Sequence, residues 1–307
     1  MGPRHVSRFT LHADLARRLS ADAALGYTSL VPAAGTRLIG PATLGAGLLA
    51  FIPMARFADR LVYFPTRAHD GGTPEALGLA YEDVDLRAAD GVRLHAWFVP
   101  APAPARRTLL FLHGNAGNIS HRLDKLAVFS DLGADVLMLD YRGYGRSEGS
   151  PDEAGTYRDA DAAYDWLRHR GVPAERIVAY GESLGGPIAT ALAANRPVGG
   201  LILESSPSSI LAVARHHYPL LPVAMFLSVR YDAVGRIGRV HAPLLILHSP
   251  EDEIVPFAMA EELYAAANPP KRLVRLRGGH NDNFLVAAET YRAALNDFLL
   301  RGRRESQ

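Results

Sequence analysis

The sequence predicts a mostly parallel α/β sheet covered by helices on both faces, and three observations carry that reading. From Thr108 onward, short apolar runs alternate with amphipathic stretches, the pattern of doubly buried strands joined by crossover helices. One of these runs, 177–180, passes through Gly181-Glu182-Ser183-Leu184-Gly185 into a helix of small residues, the spacing of a nucleophile elbow. The remaining candidate reactive residues fall just after other strands, and parallel sheets gather their reactive groups at those carboxyl ends.

The chain has 307 residues, 48% hydrophobic and 21% charged, enough for one large α/β domain or two small ones. It holds no cysteine, which excludes disulfides, thiol chemistry and Cys-ligated zinc or iron–sulfur sites. A formal net charge of +1 supplies no electrostatic reason to expect nucleic acid as a partner.

Residues 1–58 read as an appendage to a catalytic domain over 59–307. Between Arg37 and Arg56 lies an uncharged run, 38–55, just long enough to span a bilayer as a helix, although Pro41, Pro53 and three glycines interrupt it. It stands too far from Met1, behind a charged helix-like stretch at 11–19, for a simple cleaved signal peptide. A membrane anchor, an apolar cover for the domain and a poorly ordered leader compete for this run. Membrane-associated and cytoplasmic locations therefore both stay open.

Next come two antiparallel strands, 81–87 and 92–99, joined by Ala88-Ala89-Asp90-Gly91, whose Asp-Gly pair suits the positive φ angles of a tight hairpin. Strands are then expected at 109–112, 134–139, 177–180, 200–203, 243–247 and 272–276. Helices are expected at 120–132, 151–168 and 187–194, the second with Ser150 as N-cap and Pro151 as its first residue. The interval 205–240 is too long for a simple connection; its many apolar residues read as two short helices forming a lid over the strand ends.

Ser183 is the expected nucleophile. In a sharp strand-to-helix turn, a Cβ two positions to either side would strike neighbouring backbone, so both flanking positions call for glycine. A second match, Gly145-Arg146-Ser147-Glu148-Gly149, follows a turn-like segment and precedes its helix by too many residues, so Ser147 is read as a loop residue. A serine hydroxyl needs a base. Of the 12 histidines, His280 sits in a glycine-rich loop after the last strand and is the expected base, with His216 or His217 next. His113 opens a glycine loop suited to another role, and His248 reads as structural. The orienting acid comes from Glu251, Asp252 and Glu253, three carboxylates in a row after the strand 243–247, with Glu204 a weaker substitute. The loop His113-Gly-Asn-Ala-Gly-Asn118 can aim backbone N–H groups at an oxyanion; the expected donors are those of Asn115 and Leu184. That loop contains neither Gly-x-Gly-x-x-Gly nor a P-loop Lys-Ser/Thr, so no nucleotide is expected there. No cofactor or metal is expected elsewhere.

Taken together, the loop 113–118, Asp140-Tyr-Arg-Gly-Tyr-Gly-Arg-Ser147, Gly181-Glu-Ser-Leu-Gly-Gly186, the loop ending Val255-Pro256 and Gly278-Gly-His-Asn-Asp282 resemble the α/β-hydrolase superfamily. More narrowly, they are similar to its membrane-associated branch of small-lid serine hydrolases, which includes eukaryotic protein depalmitoylases. Tyr63-Phe-Pro-Thr66 and Tyr218-Pro-Leu-Leu-Pro222 resemble that branch as well. The resemblance implies an α/β-hydrolase fold with a short helical lid, and it singles out Asp252 as the acid, with Glu251 and Glu253 solvated beside it. The branch often has His-Gly-x-x-Asp at this point; here the motif reads His248-Ser-Pro-Glu-Asp252, with a stiffer Pro in the turn. The order Ser183, Asp252, His280 is the one this fold uses. The implied activity is hydrolysis of carboxylic esters or thioesters on small-molecule or acylated substrates. A serine peptidase on the same triad and a non-catalytic binding module are the rivals. No acidic lid cluster marks a peptide amine site, and the intact triad speaks against a mere binder.

Overall fold

The computed structural model describes residues 62–300. The proposed appendage 1–58 and the run 38–55 lie outside the described residues. Among the described residues, no helix is long and apolar enough to cross a membrane.

The sheet is built from β2 (Glu82–Arg87), β3 (Arg93–Val99), β4 (Thr108–Leu112), β6 (Asp135–Asp140), β7 (Ile177–Glu182), β8 (Gly200–Glu204), β9 (Leu244–His248) and β10 (Lys271–Arg275). Its spatial order is β10-β9-β8-β7-β4-β6-β3-β2, parallel throughout except for β3, which runs against both its neighbours. This is the mostly parallel sheet the apolar runs predict, with every expected strand present and its ends shifted by one or two residues. After β4 the chain builds outward to β6 on one side, then returns to build β7 through β10 on the other. Its topological switch point therefore lies between β4 and β7, where such folds place their sites.

Strand side chains divide by the two-residue period. Leu110, Leu112, Leu137, Leu139, Leu201 and Leu203 face one core, which α2 (Glu153–His169), α3 (Gly185–Asn195) and α7 (Phe257–Ala266) complete. Leu109, Phe111, Val136, Met138 and Ile202 face the other, closed by α1 (Leu123–Asp131), α8 (Asn283–Val286) and α9 (Ala288–Leu300). Leu109 through Leu112 are fully buried, and each such side chain stabilises the fold by about 1.5–3 kcal/mol.

Local details depart from the sequence reading in four places. The second long helix begins at Glu153, and its N-cap is Asp152, whose carboxylate accepts from the Gly155 N–H at 2.8 Å; Ser150 and Pro151 precede it. A carboxylate can cap the helix and meet its positive end at once, which the Ser-Pro pair cannot. In the hairpin only Gly91 takes a positive φ, 85°, and Asp90 instead binds Arg142 at 2.8 and 3.0 Å. The interval 205–240 contains three short helices rather than two: α4 (Ile210–His217), α5 (Val223–Phe226) and α6 (Val234–Ile237). Lastly, β1 (Phe64–Pro65) pairs in parallel with β5 (Ala116–Gly117), a two-residue ladder too short to leave a periodic signal.

Candidate active site

β7 runs straight into the elbow. Ser183 takes the left-handed conformation, φ 50°, which for a residue with a Cβ costs about 1–2 kcal/mol. The expected steric reason for its flanking glycines is present. A Cβ on Gly181 would lie 2.3 Å from the carbonyl oxygen of Gly185, and one on Gly185 only 1.9 Å from that of Leu112. The Ser183 N–H donates to the carbonyl of Glu204 at 2.8 Å, tying the turn to the end of β8.

The three side chains named from sequence meet at this turn. Ser183 Oγ lies 2.9 Å from His280 Nε2, and His280 Nδ1 lies 2.8 Å from Asp252 Oδ2. Asp252 is buried, and its Oδ1 accepts from the backbone N–H groups of Ile254 at 2.9 Å and Val255 at 2.7 Å. Burial alone would raise this carboxyl. The hydrogen bonds from His248 and His280, the charge of His280 and the Val255 N–H outweigh it and hold the group well below the usual carboxylate range. An ionised Asp252 accepts a hydrogen bond from Nδ1–H and leaves the Nε2 lone pair facing the serine.

The other candidate residues named from sequence take other places. His248 is buried behind Asp252, its Nε2 2.8 Å from the Val255 carbonyl and 3.3 Å from Asp252 Oδ2, so its structural role includes holding the acid loop. His216 and His217 lie at the exposed end of α4 (Ile210–His217); His217 Nε2 reaches the Ile254 carbonyl at 2.8 Å. His113 is fully buried, and burial pushes its imidazole down to about 4. Ser147 Oγ donates to the Asp140 carbonyl at 2.6 Å and accepts from the His95 N–H at 2.9 Å, a loop brace. Glu204 is buried beside Lys125, Tyr180 and Tyr291, away from His280.

The loop 113–118 lies against the elbow: a Cβ on Gly114 would be 3.4 Å from that of Ser183. Three elements hold this loop. The Phe64 N–H and the Tyr144 hydroxyl both donate to the Asn115 carbonyl, at 3.0 and 2.8 Å. Tyr141 donates to the His113 carbonyl at 3.0 Å, and Asp140 Oδ1 accepts from the Ile119 N–H at 2.9 Å. Glu182 accepts from the Gly114 N–H at 3.3 Å and from Arg122 Nε at 2.7 Å. Neither the Asn115 nor the Leu184 N–H donates to a protein acceptor among the described residues. Leu184 precedes the first turn of α3, whose dipole adds partial positive charge there.

Sequence reasoning missed several supporting groups. Glu251 and Glu253 are exposed, as expected, yet they also clamp the histidine loop: Glu253 accepts from the His280 N–H and Glu251 from the Gly278 N–H, both at 3.1 Å. Lys125 is buried between Glu204 and Glu182, 3.4 Å from the latter. Nothing in a lone lysine on an amphipathic helix signals that partnership.

The chain belongs to the alpha/beta hydrolase fold family, whose pattern matches residues 107–234. It is 39% identical over 263 residues to the uncharacterized protein Rv2307c of Mycobacterium tuberculosis strain H37Rv, covering 84% of this chain and 92% of that one. It is 37% identical over 264 residues to the alpha/beta hydrolase domain-containing protein WAV2 of Arabidopsis thaliana, covering 78% and 86% respectively. Among solved structures, the Pyrococcus furiosus esterase Pf2001 superposes with a TM-score of 0.65 at 21% identity, over 78% of this chain and 97% of that one, a likeness of fold. The membrane-associated branch is a finer assignment than these matches carry.

The elbow's packing makes a prediction. Gly185→Ala places a methyl 1.9 Å from the Leu112 carbonyl oxygen, which is backbone and cannot rotate away. Urea denaturation should show a loss of about 3 kcal/mol or more. Gly171→Ala, at φ 86° with nothing within 4 Å of the added Cβ, should cost about 1–2 kcal/mol.

Proposed function

We propose that this chain is a cofactor-independent serine hydrolase of carboxylic esters or thioesters. One observation carries the reading: the unbroken relay from Ser183 Oγ through the His280 ring to Asp252, at 2.9 and 2.8 Å. In the proposed reaction His280 Nε2 takes the Ser183 proton as Oγ attacks the acyl carbon. The N–H groups of Asn115 and Leu184 receive the oxyanion. His280 then protonates the leaving alcohol or thiol, and Asp252 stabilises the imidazolium between the two transfers. Water, deprotonated by His280, releases the acid and restores Ser183.

The interval 205–240 supports an apolar acyl portion. Tyr218, Leu220, Leu221 and Met225 expose between 56% and 95% of their surface, an apolar edge beside the acid loop that His217 touches. Unlike these, Leu227, Val229 and Tyr231 are buried.

A fluorophosphonate probe tests the proposal directly. The parent protein should label at one serine, and Ser183→Ala should abolish the label; a parent that does not label, or a Ser183→Ala variant that still does, rejects Ser183 as nucleophile. Asp252→Asn should retain the fold and lose activity by about 10³–10⁴-fold, through the wrong imidazole tautomer.

A graded series of p-nitrophenyl esters reads out the acyl site. Hydrolysis should extend beyond acetate to longer chains; activity on acetate alone would sink the apolar-acyl reading while leaving the triad standing.

The pH profile follows from the state of Asp252. Its folded carboxyl is depressed, so it stays ionised from alkaline pH down to well below the usual carboxylate range and loses its charge only in strong acid. Asp252 therefore adds no ionisation of its own to the profile near neutrality, and an imidazolium at position 280 cannot accept the serine proton. A plot of log kcat/KM against pH should descend on the acid side with a slope approaching one. A flat profile, or a slope of two, contradicts this assignment.

A further inference from the structure

A second cluster of titratable side chains lies outside the Ser183 relay. His69 in the segment after β1, His95 on β3 and Asp140 at the end of β6 each offer one ligand atom, and these atoms all lie within 4.8 Å of one another. His69 Nε2 is 3.0 Å from Asp140 Oδ2, and His95 Nδ1 is 3.7 Å from the same oxygen. We infer that His69, His95 and Asp140 form a binding site for one divalent first-row transition-metal cation of the zinc class.

The hydrogen bonding of His95 is the first argument. Its Nε2 lies 2.7 Å from Asp83 Oδ1, so that nitrogen carries the proton and donates it. In the neutral ring Nδ1 is then a bare lone pair. It is buried, lacks any hydrogen-bond partner and points at a buried carboxylate. A lone pair facing a carboxylate oxygen repels it, and a cation placed between the two turns that repulsion into ligation. The Asp83–His95 pair is also the outer arrangement that orients metal-binding imidazoles, with a carboxylate on the far nitrogen fixing the tautomer. Trp97 Nε1 and Arg146 Nη1 donate to the same Asp83 oxygen, each at 3.1 Å, and hold it in place.

Spacing is the second argument. Donors bound at about 2.0–2.2 Å in tetrahedral array stand roughly 3.3–3.5 Å apart, and the observed 3.0 and 3.7 Å bracket that range. Two imidazoles and one carboxylate suit zinc, cobalt or nickel better than calcium or magnesium, which prefer oxygen alone. Gly145 supplies the third argument. A Cβ there would sit 2.0 Å from Asp140 Oδ2 and 2.5 Å from His69 Nε2, so only glycine leaves the liganding atoms uncovered. The His69 side chain keeps 13% of its surface exposed, enough for an ion to enter and for water to complete the coordination.

The consequence is structural. Asp140 Oδ1 already holds the Ile119 N–H, and Asn118 Nδ2 donates to the carbonyls of Thr66 and Ala68 just before His69. A cation joining His69 to Asp140 would fasten the segment 66–69 and the loop 113–118 to the sheet together. The cluster was invisible in the sequence because its members stand 26 and 45 residues apart (95 − 69 and 140 − 95), with no ligand-pair spacing.

The test is metal uptake by untagged full-length protein stripped with EDTA and titrated with Zn²⁺ in a calorimeter. One equivalent should bind and raise the Tm. Co²⁺ should give visible absorption bands of a tetrahedral or five-coordinate site. His69→Ala should weaken binding more than about 100-fold, and Asp83→Asn, which alters only the group behind a ligand on a half-exposed side chain, about 10–100-fold. His280→Ala should leave uptake unchanged. No stoichiometric binding, or binding that survives both His69→Ala and Asp83→Asn, or binding abolished by His280→Ala, overturns the inference. Because uptake is read without substrate, its failure leaves the serine hydrolase proposal untouched.

Discussion

The left-handed backbone of Ser183, φ 50°, is the constraint on which the other features of this site depend. A non-glycine residue holds that conformation only when its surroundings leave no alternative. Here the surroundings are the centre of the sheet. The Ser183 N–H is spent on Glu204, its carbonyl on the Gly186 N–H at 2.9 Å, and the glycines to either side pass within contact distance of neighbouring backbone. Fully buried strands flank the turn, and burying even two leucines there offsets the strain of roughly 1–3 kcal/mol. Unwinding the elbow would break those packed strands, so the hydroxyl stays fixed in space rather than sampling rotations of a loose loop.

Beneath the turn, charge does a second part of the positioning. Glu182, the residue before the serine, would be raised by burial, but Arg122 and Lys125 hold it strongly ionised. Its carboxylate also receives the Gly114 N–H, so the residue that precedes Ser183 anchors the start of the loop 113–118. Lys125 in turn bridges to Glu204, which receives the hydroxyls of Tyr180 and Tyr291 at 2.6 and 3.1 Å. Elbow, loop and α9 thus share one buried network, and removing its lysine would leave two carboxylates close together with less charge to compensate them.

The parts of this architecture legible in sequence are those governed by local periodicity or by a short motif. Strands buried on both faces leave apolar runs, and a strained turn leaves glycines at fixed offsets; both follow from constraints within a few residues. His280 was legible because it sits in a glycine-rich loop after a strand, and Asp252 through resemblance, since three adjacent carboxylates look alike until the fold chooses one. What stayed hidden is whatever depends on meeting across the sheet. Tyr141 and Tyr144 read as turn residues, yet their hydroxyls carry the carbonyls of His113 and Asn115. Asp152 displaced Ser150 as the cap because the helix starts where α2 meets the 205–240 interval: Glu153 in its first turn accepts the N–H groups of Arg230 and Tyr231 at 2.6 and 2.9 Å. A helix boundary set by a partner 77 residues away (230 − 153) cannot be read from its own neighbours.

That contact also shows how the interval 205–240 is tied to the rest of the fold. The interval 205–240 is pinned at its base, where Glu153 grips the backbone and the Tyr231 hydroxyl meets Thr156 at 2.8 Å and Tyr63 at 2.9 Å. Between those ties and α4, the stretch around Tyr218 to Met225 exposes its apolar side chains and contributes none of them to the core. Substitutions at Tyr218, Leu220, Leu221 or Met225 would meet little packing penalty, whereas a change at Gly185 or Ser183 disturbs the sheet itself. The geometry of the elbow is therefore bound to stability while the exposed edge of the interval 205–240 is released from it, and so family membership specifies the elbow far more tightly than that edge.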